Sequence, residues 1–277
     1  MSTLVGEVGA LVAENVSEVL ESTAGSEPGV DRSTWQILAE GGWGTISADP
    51  ENGMELRDVL EVARISGRHP CSTPLITTLL AGRWFEVDDD TLEDGVAVAF
   101  ARGDQVVAPF WTEGLVVLDG SGSPVAVEPS AMESFSLVAP VAVLPASTSA
   151  LGGDHLAEAR AAFVAVAVGC ADAVIARAID WSQTREQFGQ TIKGFQAVRH
   201  HLANAHIARE QAWTAAIAAA HDPERSGRWA RQGFSLAREA IELGIQVHGG
   251  VGFTWEVGLQ HFLDEVVQLD SILGERR

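Results

Sequence analysis

From Asp154 onward the chain carries apolar residues at helical spacing almost without interruption, and this more than anything limits what it can become. Asp154 suits the N-cap of a helix running to about Gln183, with an apolar stripe through Leu156, Phe163, Val164, Ala167, Val174 and Ile175. A second helix is expected from about Gly194 to Ala220, a third from Pro223 to Val247 and a short fourth from roughly Glu256 to Leu273. Helices of this length joined by short breaks pack as antiparallel neighbours, so the spacing predicts a helical bundle.

The first part of the chain is also helical in pattern. Leu4, Val8, Leu11, Val12, Val16, Val19 and Leu20 recur at helical spacing between Thr3 and Glu21. Asp31 is placed to cap a helix carrying Trp35, Ile37 and Leu38, which the Gly41–Gly42–Trp43–Gly44 turn breaks. Two more helices are expected over Glu55–Ile65 and Pro74–Ala81, the second opened by its proline. The texture changes between Asp88 and Pro145. Short β-branched runs (Val96–Phe100, Val106–Phe110, Leu115–Leu118, Val125–Val127 and Ser136–Leu144) alternate with Gly103, Gly120, Gly122 and Pro129. The reading is a mainly α chain: an N-terminal helical domain over 1–87, a small antiparallel β domain over 88–150, and the bundle over 151–277.

Charge removes several classes of function. With 38 acidic and 18 basic side chains, the net charge of −20 repels phosphate backbones and anionic lipid, so neither nucleic acid nor a membrane surface is an expected partner. No apolar run is read as long enough to span a bilayer, and Met1–Glu7 lacks the basic start of a signal peptide; a cytoplasmic protein is expected. Cys71 and Cys170 make neither a disulfide framework nor a metal motif. His200, His201 and His206 lack the i, i+4 spacing that stacks two metal ligands on one helix face, and Asp88–Asp89–Asp90 lacks a calcium loop's glycine and terminal glutamate. These histidines read as surface or half-buried groups, and the aspartates as a solvated turn. No metal is expected.

Two motifs remain. The first runs Arg185-Glu186-Gln187-Phe188-Gly189-Gln190-Thr191-Ile192-Lys193-Gly194-Phe195-Gln196, between the end of one long helix and the start of the next. Its guanidinium fork suits a diphosphate, and Phe188 or Phe195 suits an adenine or flavin face. On spacing alone the plainer reading holds: a helix-to-helix turn with a cation where the macrodipole favours one. The second runs Gln246-Val247-His248-Gly249-Gly250-Val251-Gly252-Phe253-Thr254-Trp255-Glu256. Three glycines in four positions let backbone N–H groups approach an anion, although a glycine C-cap followed by a Thr254 N-cap gives the same letters.

Taken together, and in this order, the two motifs resemble the C-terminal bundle of acyl-CoA dehydrogenases over about Asp154 to Leu273. Upstream the likeness is fainter, confined to Gly42–Trp43 and Pro74–Gly82. The resemblance implies N-terminal helices, a middle β domain and a four-helix bundle, with FAD shared across a subunit interface. It carries Arg185, Phe188 and Gln196, then Gln246 and Gly250, onto the FAD of the neighbouring subunit, with Gln187, Gly249 and Gly252 close by.

The departures from the family are equally specific. Its reaction removes an α-proton from an acyl-CoA thioester while hydride leaves the β-carbon for the flavin, and a glutamate serves as base. The two positions where that glutamate is found hold Leu273, before Gly274, and Ala159, beside Arg160. Glu158 and Glu256 are near in sequence, but one residue of helix turns a side chain by about 100°. The flavin-contacting Thr-Glu-Pro strand has no counterpart between Phe100 and Gln105, and Thr112–Glu113 is not followed by proline. Asp264, followed by Glu265, stands where the family usually carries an arginine. The expectation is therefore a subunit contributing FAD-binding residues beside a larger acyl-CoA dehydrogenase subunit, in a heterodimer or heterotetramer. It would act on an acyl-CoA, bulky ones such as sterol side chains included, and pass electrons to an electron-transfer flavoprotein. The alternatives are a self-sufficient enzyme using Glu158 or Glu256, and a scaffold that no longer touches flavin.

Overall fold

Aspartate 58 shows how the N-terminal helices find one another. Its carboxylate accepts the backbone N–H of Glu55 at 2.8 Å and that of Gly6 at 2.9 Å, so one buried acid fixes the starts of α1 (Glu7–Thr23) and α3 (Leu56–Ser66). The computed structural model describes residues 6–23, 29–30, 32–48, 54–69, 71–110, 114–127, 138 and 140–274. Within them, β1 (Gly29–Val30) pairs parallel with β2 (Cys71–Ser72). α2 (Arg32–Glu40), α4 (Leu75–Trp84) and α5 (Asp89–Asp94) complete the N-terminal helices. Asp31, expected as a cap, lies outside the described residues. α5 corrects the reading of Asp88–Asp90 as a turn: the Asp88 carboxylate accepts the Thr91 N–H at 2.9 Å and starts a helix that buries Leu92.

The β region forms two three-stranded sheets. β3 (Val96–Val98), β6 (Val116–Leu118) and β7 (Pro124–Val125) make one; β4 (Phe100–Arg102), β5 (Gln105–Pro109) and β8 (Val141–Leu144) make the other. β3 and β4 are one extended run split at Ala99 and serve both sheets. An all-antiparallel arrangement was expected, but β3 and β6 pair in parallel, Val96 opposite Val116. The reason is connectivity: the β4–β5 hairpin turns into the second sheet, and the chain then returns to β3 in its original direction. Of the expected Ser136–Leu144 strand, residues 136, 137 and 139 lie outside the described set. Strand alternation sorts the side chains by size. Val96, Val98 and Phe100 face the main core, whereas Ala97 and Ala99 face a small second core with Ala108, Val117, Ala142 and Leu144. Phe100 and Phe110 flank Phe163 at 6.1 and 5.6 Å between centroids and bind this region to the bundle.

The bundle consists of α6 (Gly153–Thr184), α7 (Gln196–His221), α8 (Ser226–His248) and α9 (Gln260–Leu273). Three boundaries differ from expectation. α8 begins at Ser226 rather than Pro223, after a 3-10 turn over Pro223–Arg225. Gly152 is the N-cap of α6, with Asp154 inside the first turn, and α9 begins at Gln260 rather than near Glu256, because Gly249–Phe253 winds into a separate 3-10 turn. The expectation that no run could span a bilayer also needs correction. By length and hydropathy, 2.0 over its most apolar window, α6 qualifies, yet 72% of that window is buried inside the protein. It is the central helix of the core.

Where α3 crosses α6, two glycines bring the backbones together. A Cβ on Gly67 would collide with the Val166 carbonyl, and one on Gly169 with the Arg64 carbonyl. Beside the crossing, Asp172 on α6 accepts Arg64 at 2.9 Å, Arg68 at 3.2 Å and Arg209 at 2.5 Å, tying α3, the turn after it and α7 to one carboxylate. Burial alone would raise the Asp172 pKa; the guanidiniums, Arg209 foremost, hold it below the usual range.

Candidate functional site

α6 ends because the chain turns out at Arg185. Its N–H bonds the Trp181 carbonyl at 2.9 Å and its carbonyl accepts Ile192 N–H at 2.8 Å, so the backbone of the arginine is held on both sides. Between these bonds β9 (Glu186–Gln187) and β10 (Gln190–Thr191) form a short hairpin, with Phe188 at φ 53° and Gly189 at φ 79° in its turn. Two successive positive φ values make a primed turn, which suits glycine but strains phenylalanine. Phe188 holds that conformation while 93% exposed, touching Phe195 edge-on at 6.2 Å. Gln187 bonds the Glu186 carbonyl, and Gln196, the first residue of α7, reaches His200 at 3.4 Å. Both amides are exposed.

The second motif ends α8. Gly249 takes φ 66°, and neither it nor Gly250 has any atom within 4 Å of where a Cβ would sit. Gly252, in contrast, packs against the Ile245 carbonyl and His248. The glycines thus divide into one that packs and two that expose backbone. Gln246 is exposed, as are Phe253 at 76% and Trp255 at 65%.

The fold joins the two motifs. Ile192 from the first and Val247 from the second are buried together with Ala178, under Trp181 and Phe195. Trp181 stacks on His248 at 5.8 Å and 17°, and the Arg185 guanidinium lies 5.8 Å from the centroid of the same Trp181 ring. His248 is buried, its Nδ1–H directed to the Gly244 carbonyl at 2.9 Å; burial lowers its pKa. In a chain of net charge −20, Arg177, Arg185, Lys193 and Arg199 are cations on α6, α7 and their connection that form no ion pair among the described residues. Sequence reasoning singled out Arg185 but missed Trp181 and Arg177. The i−4 spacing of Trp181 from Arg185 was the available signal.

Ala159 and Leu273 are both buried and lie near each other: the Arg160 side chain beside Ala159 donates to the Leu273 carbonyl at 3.2 Å and to the Ser226 hydroxyl at 3.1 Å. Glu158 accepts Arg83 at 3.0 Å and the Trp84 indole N–H at 2.8 Å, with Trp84 stacked on His155. Glu256 is exposed, and its pKa is lowered by its own backbone N–H and the Thr254 hydroxyl. The most perturbed carboxyl is one that sequence did not single out as a base. Glu265 is buried on α9, its pKa pushed up to about 8 by desolvation, and the Cys170 thiol donates to it at 3.7 Å. Asp264, its neighbour, is also raised by burial.

Comparison with known proteins fits this architecture. Residues 153–274 match the family described as acyl-CoA dehydrogenase, C-terminal domain. The acyl-CoA dehydrogenase IpdE2 of Mycolicibacterium smegmatis is 27% identical over 98% of this chain and 93% of its own length. The fold is shared with a variant of the Tcur3481–Tcur3483 steroid ACAD, at a TM-score of 0.72 and 21% identity over 97% of this chain and 94% of that one. It is shared also with the ChsE4–ChsE5 complex from Mycobacterium tuberculosis, at a TM-score of 0.72 and 17% identity over 98% and 94%. A mainly helical fold with small sheets and a C-terminal bundle, carrying both motifs at one end of that bundle, thus agrees with the family match: residues 153–274 are an acyl-CoA dehydrogenase C-terminal domain, and the whole chain resembles the acyl-CoA dehydrogenases in sequence and fold.

Proposed function

We propose that this chain is the partner subunit of a heteromeric acyl-CoA dehydrogenase. It lends Arg185, Gln187, Phe188, Gln196, Gln246, Gly249 and Gly250 to the adenosine-diphosphate side of an FAD whose ring and α-proton base belong to a fuller subunit. One contrast carries the reading: the end of the bundle with the two motifs is open and cationic, while both positions for the family's glutamate are apolar and buried.

The residues present fit the group. A diphosphate needs cations not already neutralised and backbone it can approach, and Arg185 beside Gly249–Gly250 supplies both. When bound, FAD supplies the acceptor for the hydride leaving the β-carbon of an acyl-CoA thioester. Arg185 binds anionic oxygen through its fork, and Gln196 and Gln246 offer amide donors from the first turn of α7 and the last turn of α8. Phe188, Phe253 and Trp255 present apolar surface that a subunit or ligand must cover to exclude water. Proton removal falls to the other subunit. Glu158 is engaged by Arg83 and Trp84, and a carboxylate of lowered pKa such as Glu256 is a poor base. A complex and a steroid enzyme among the folds that resemble this chain support a heteromer acting on a bulky acyl-CoA; its electrons would leave to an electron-transfer flavoprotein.

Purification alone and after co-expression with candidate larger subunits, followed by absorbance spectra, tests the reading. Flavin bands and acyl-CoA oxidation are expected only from the co-purified complex. Stoichiometric FAD retained by a homo-oligomer of this chain would overturn it.

A further inference from the structure

Arg185 and Gly249–Gly250 come from different helices, and a single aromatic ring stands between the segments that carry them. Trp181 lies one helical turn before Arg185 on α6. One partner of its ring is the Arg185 guanidinium, the other the His248 imidazole, each at 5.8 Å. His248 is in turn fixed at Nδ1 by the Gly244 carbonyl and is the last residue of α8 before the open glycines. Among the described residues the arginine side chain has no carboxylate to orient it, whereas its backbone is fixed on both sides. What orders the guanidinium is the π-face of Trp181, and the same ring is held in register with the glycine turn by its stack on His248.

We propose that Trp181 is the positioning residue of this site: with His248 it forms a column that sets the Arg185 fork and the Gly249–Gly250 backbone at a fixed separation, so that the two motifs act on one anionic ligand together. The inference rests on the cofactor reading above and deepens it. It also distinguishes Trp181 from a mere filler of the small core around Ile192 and Val247. A filler needs only apolar volume; a positioning ring needs its π-face.

The test compares Trp181→Leu with Trp181→Phe in the full chain co-purified with its larger subunit, with FAD as the titrated probe and thermal melting followed on the same samples. Leucine keeps apolar bulk and loses the face; phenylalanine keeps the face. Affinity for FAD is expected to fall about fivefold in Trp181→Leu and to stay within about twofold in Trp181→Phe. Because Trp181 acts by aligning the Arg185 fork with the glycine backbone, it has nothing to align once the fork is gone, and the double variant Trp181→Leu/Arg185→Ala should bind no more weakly than Arg185→Ala alone. Equal affinities for the leucine and phenylalanine variants, or additive losses in the double variant, overturn the proposal. A second measurement needs no ligand. In 15N spectra of the chain, the Arg185 Nε–Hε resonance should carry the ring-current shift of Trp181 and lose it in Trp181→Leu but not in Trp181→Phe. An unmoved resonance in the leucine variant also overturns the positioning role. A moved resonance together with full FAD retention by Arg185→Ala leaves that role standing and overturns the cofactor reading instead.

Discussion

The two ends of α6 are built from one helix of 32 residues, and they are finished in opposite ways. At its C-terminal end Arg185, the Phe188 turn and the neighbouring glycines of α8 stay open, with cations that form no ion pair among the described residues and aromatic rings in solvent. Near its N-terminal end Ala159 is buried, Arg160 is bonded to α9 and α8, and Glu158 is held by α4. Roughly 1.5 Å of rise per residue puts the two ends more than 30 Å apart, too far for one to constrain the other. One helix can therefore carry an open surface at one end and close packing at the other.

The sharpest way to break this contrast is at Arg185. In the assembled complex Arg185→Ala should lower FAD affinity by about 30- to 1000-fold, the equivalent of roughly 2–4 kcal/mol for a charge-assisted bidentate contact. Arg185→Lys should recover only part, since an ammonium lacks the planar fork. Flavin absorbance per complex measures both. Unchanged flavin content would return Arg185 to the role of a helix-end cation.

The closed side of the comparison can be tested at Glu265. Its folded pKa of about 8 lies above the ordinary 4.5, so the unfolded chain gives up this proton first. Stability from the neutral acid is complete below about pH 4.5 and is lost progressively as pH rises toward 8. At pH 7 the loss is on the order of 3 kcal/mol. Glu265→Gln removes the titration and should flatten denaturant-unfolding stability across that window, gaining most above pH 7. A mutant curve parallel to the wild type between pH 5 and 8 would show that Glu265 is ionised in the folded state.

A smaller effect is expected at the hairpin. Phe188 pays for a left-handed backbone with an exposed ring, so Phe188→Asn should raise stability by about 1 kcal/mol, since asparagine tolerates that region. Calorimetry of the free chain reads this as a rise of a few degrees. If Phe188 is kept for a ligand or subunit, the same variant should bind FAD or the larger subunit more weakly. The least effect is predicted for the carboxylates near the base positions. In the active complex, Glu158→Gln and Glu256→Gln should each leave turnover within about tenfold, because loss of a true base costs roughly 10²–10⁴-fold. A larger drop with assembly intact on size exclusion would place the proton transfer in this chain.

Much of this arrangement could be read from sequence because it is written in periodicity and in local letters. The stripe through Leu156, Phe163 and Val174 announces α6, and the two motifs announce the loops at its end. What periodicity does not carry is which of two adjacent groups is turned inward. Asp264 and Glu265 read as a charged pair, yet Glu265 shares the buried face of α9 with His261, Phe262 and Leu269, while Asp264 is only half-buried. Trp181 went unnoticed for a related reason: its spacing from Arg185 is visible in the sequence, but its stack on His248, sixty-seven residues on, is tertiary. The parallel β3–β6 pair was missed because strand letters specify a face and not a direction.

The glycine crossing of α3 and α6 bears on how the protein can be cut. The segment that matches the family, residues 153–274, looks like a natural unit for expression by itself. In such a fragment Val166 and Gly169 would lose the helix that now lies against their backbone, and Asp172 would keep only one of its three arginines. The longest helix would then show water a bare apolar stripe, with an acid held by Arg209 alone at its edge. Gene fragments meant to isolate the bundle should therefore begin before Leu56, so that α3 travels with α6.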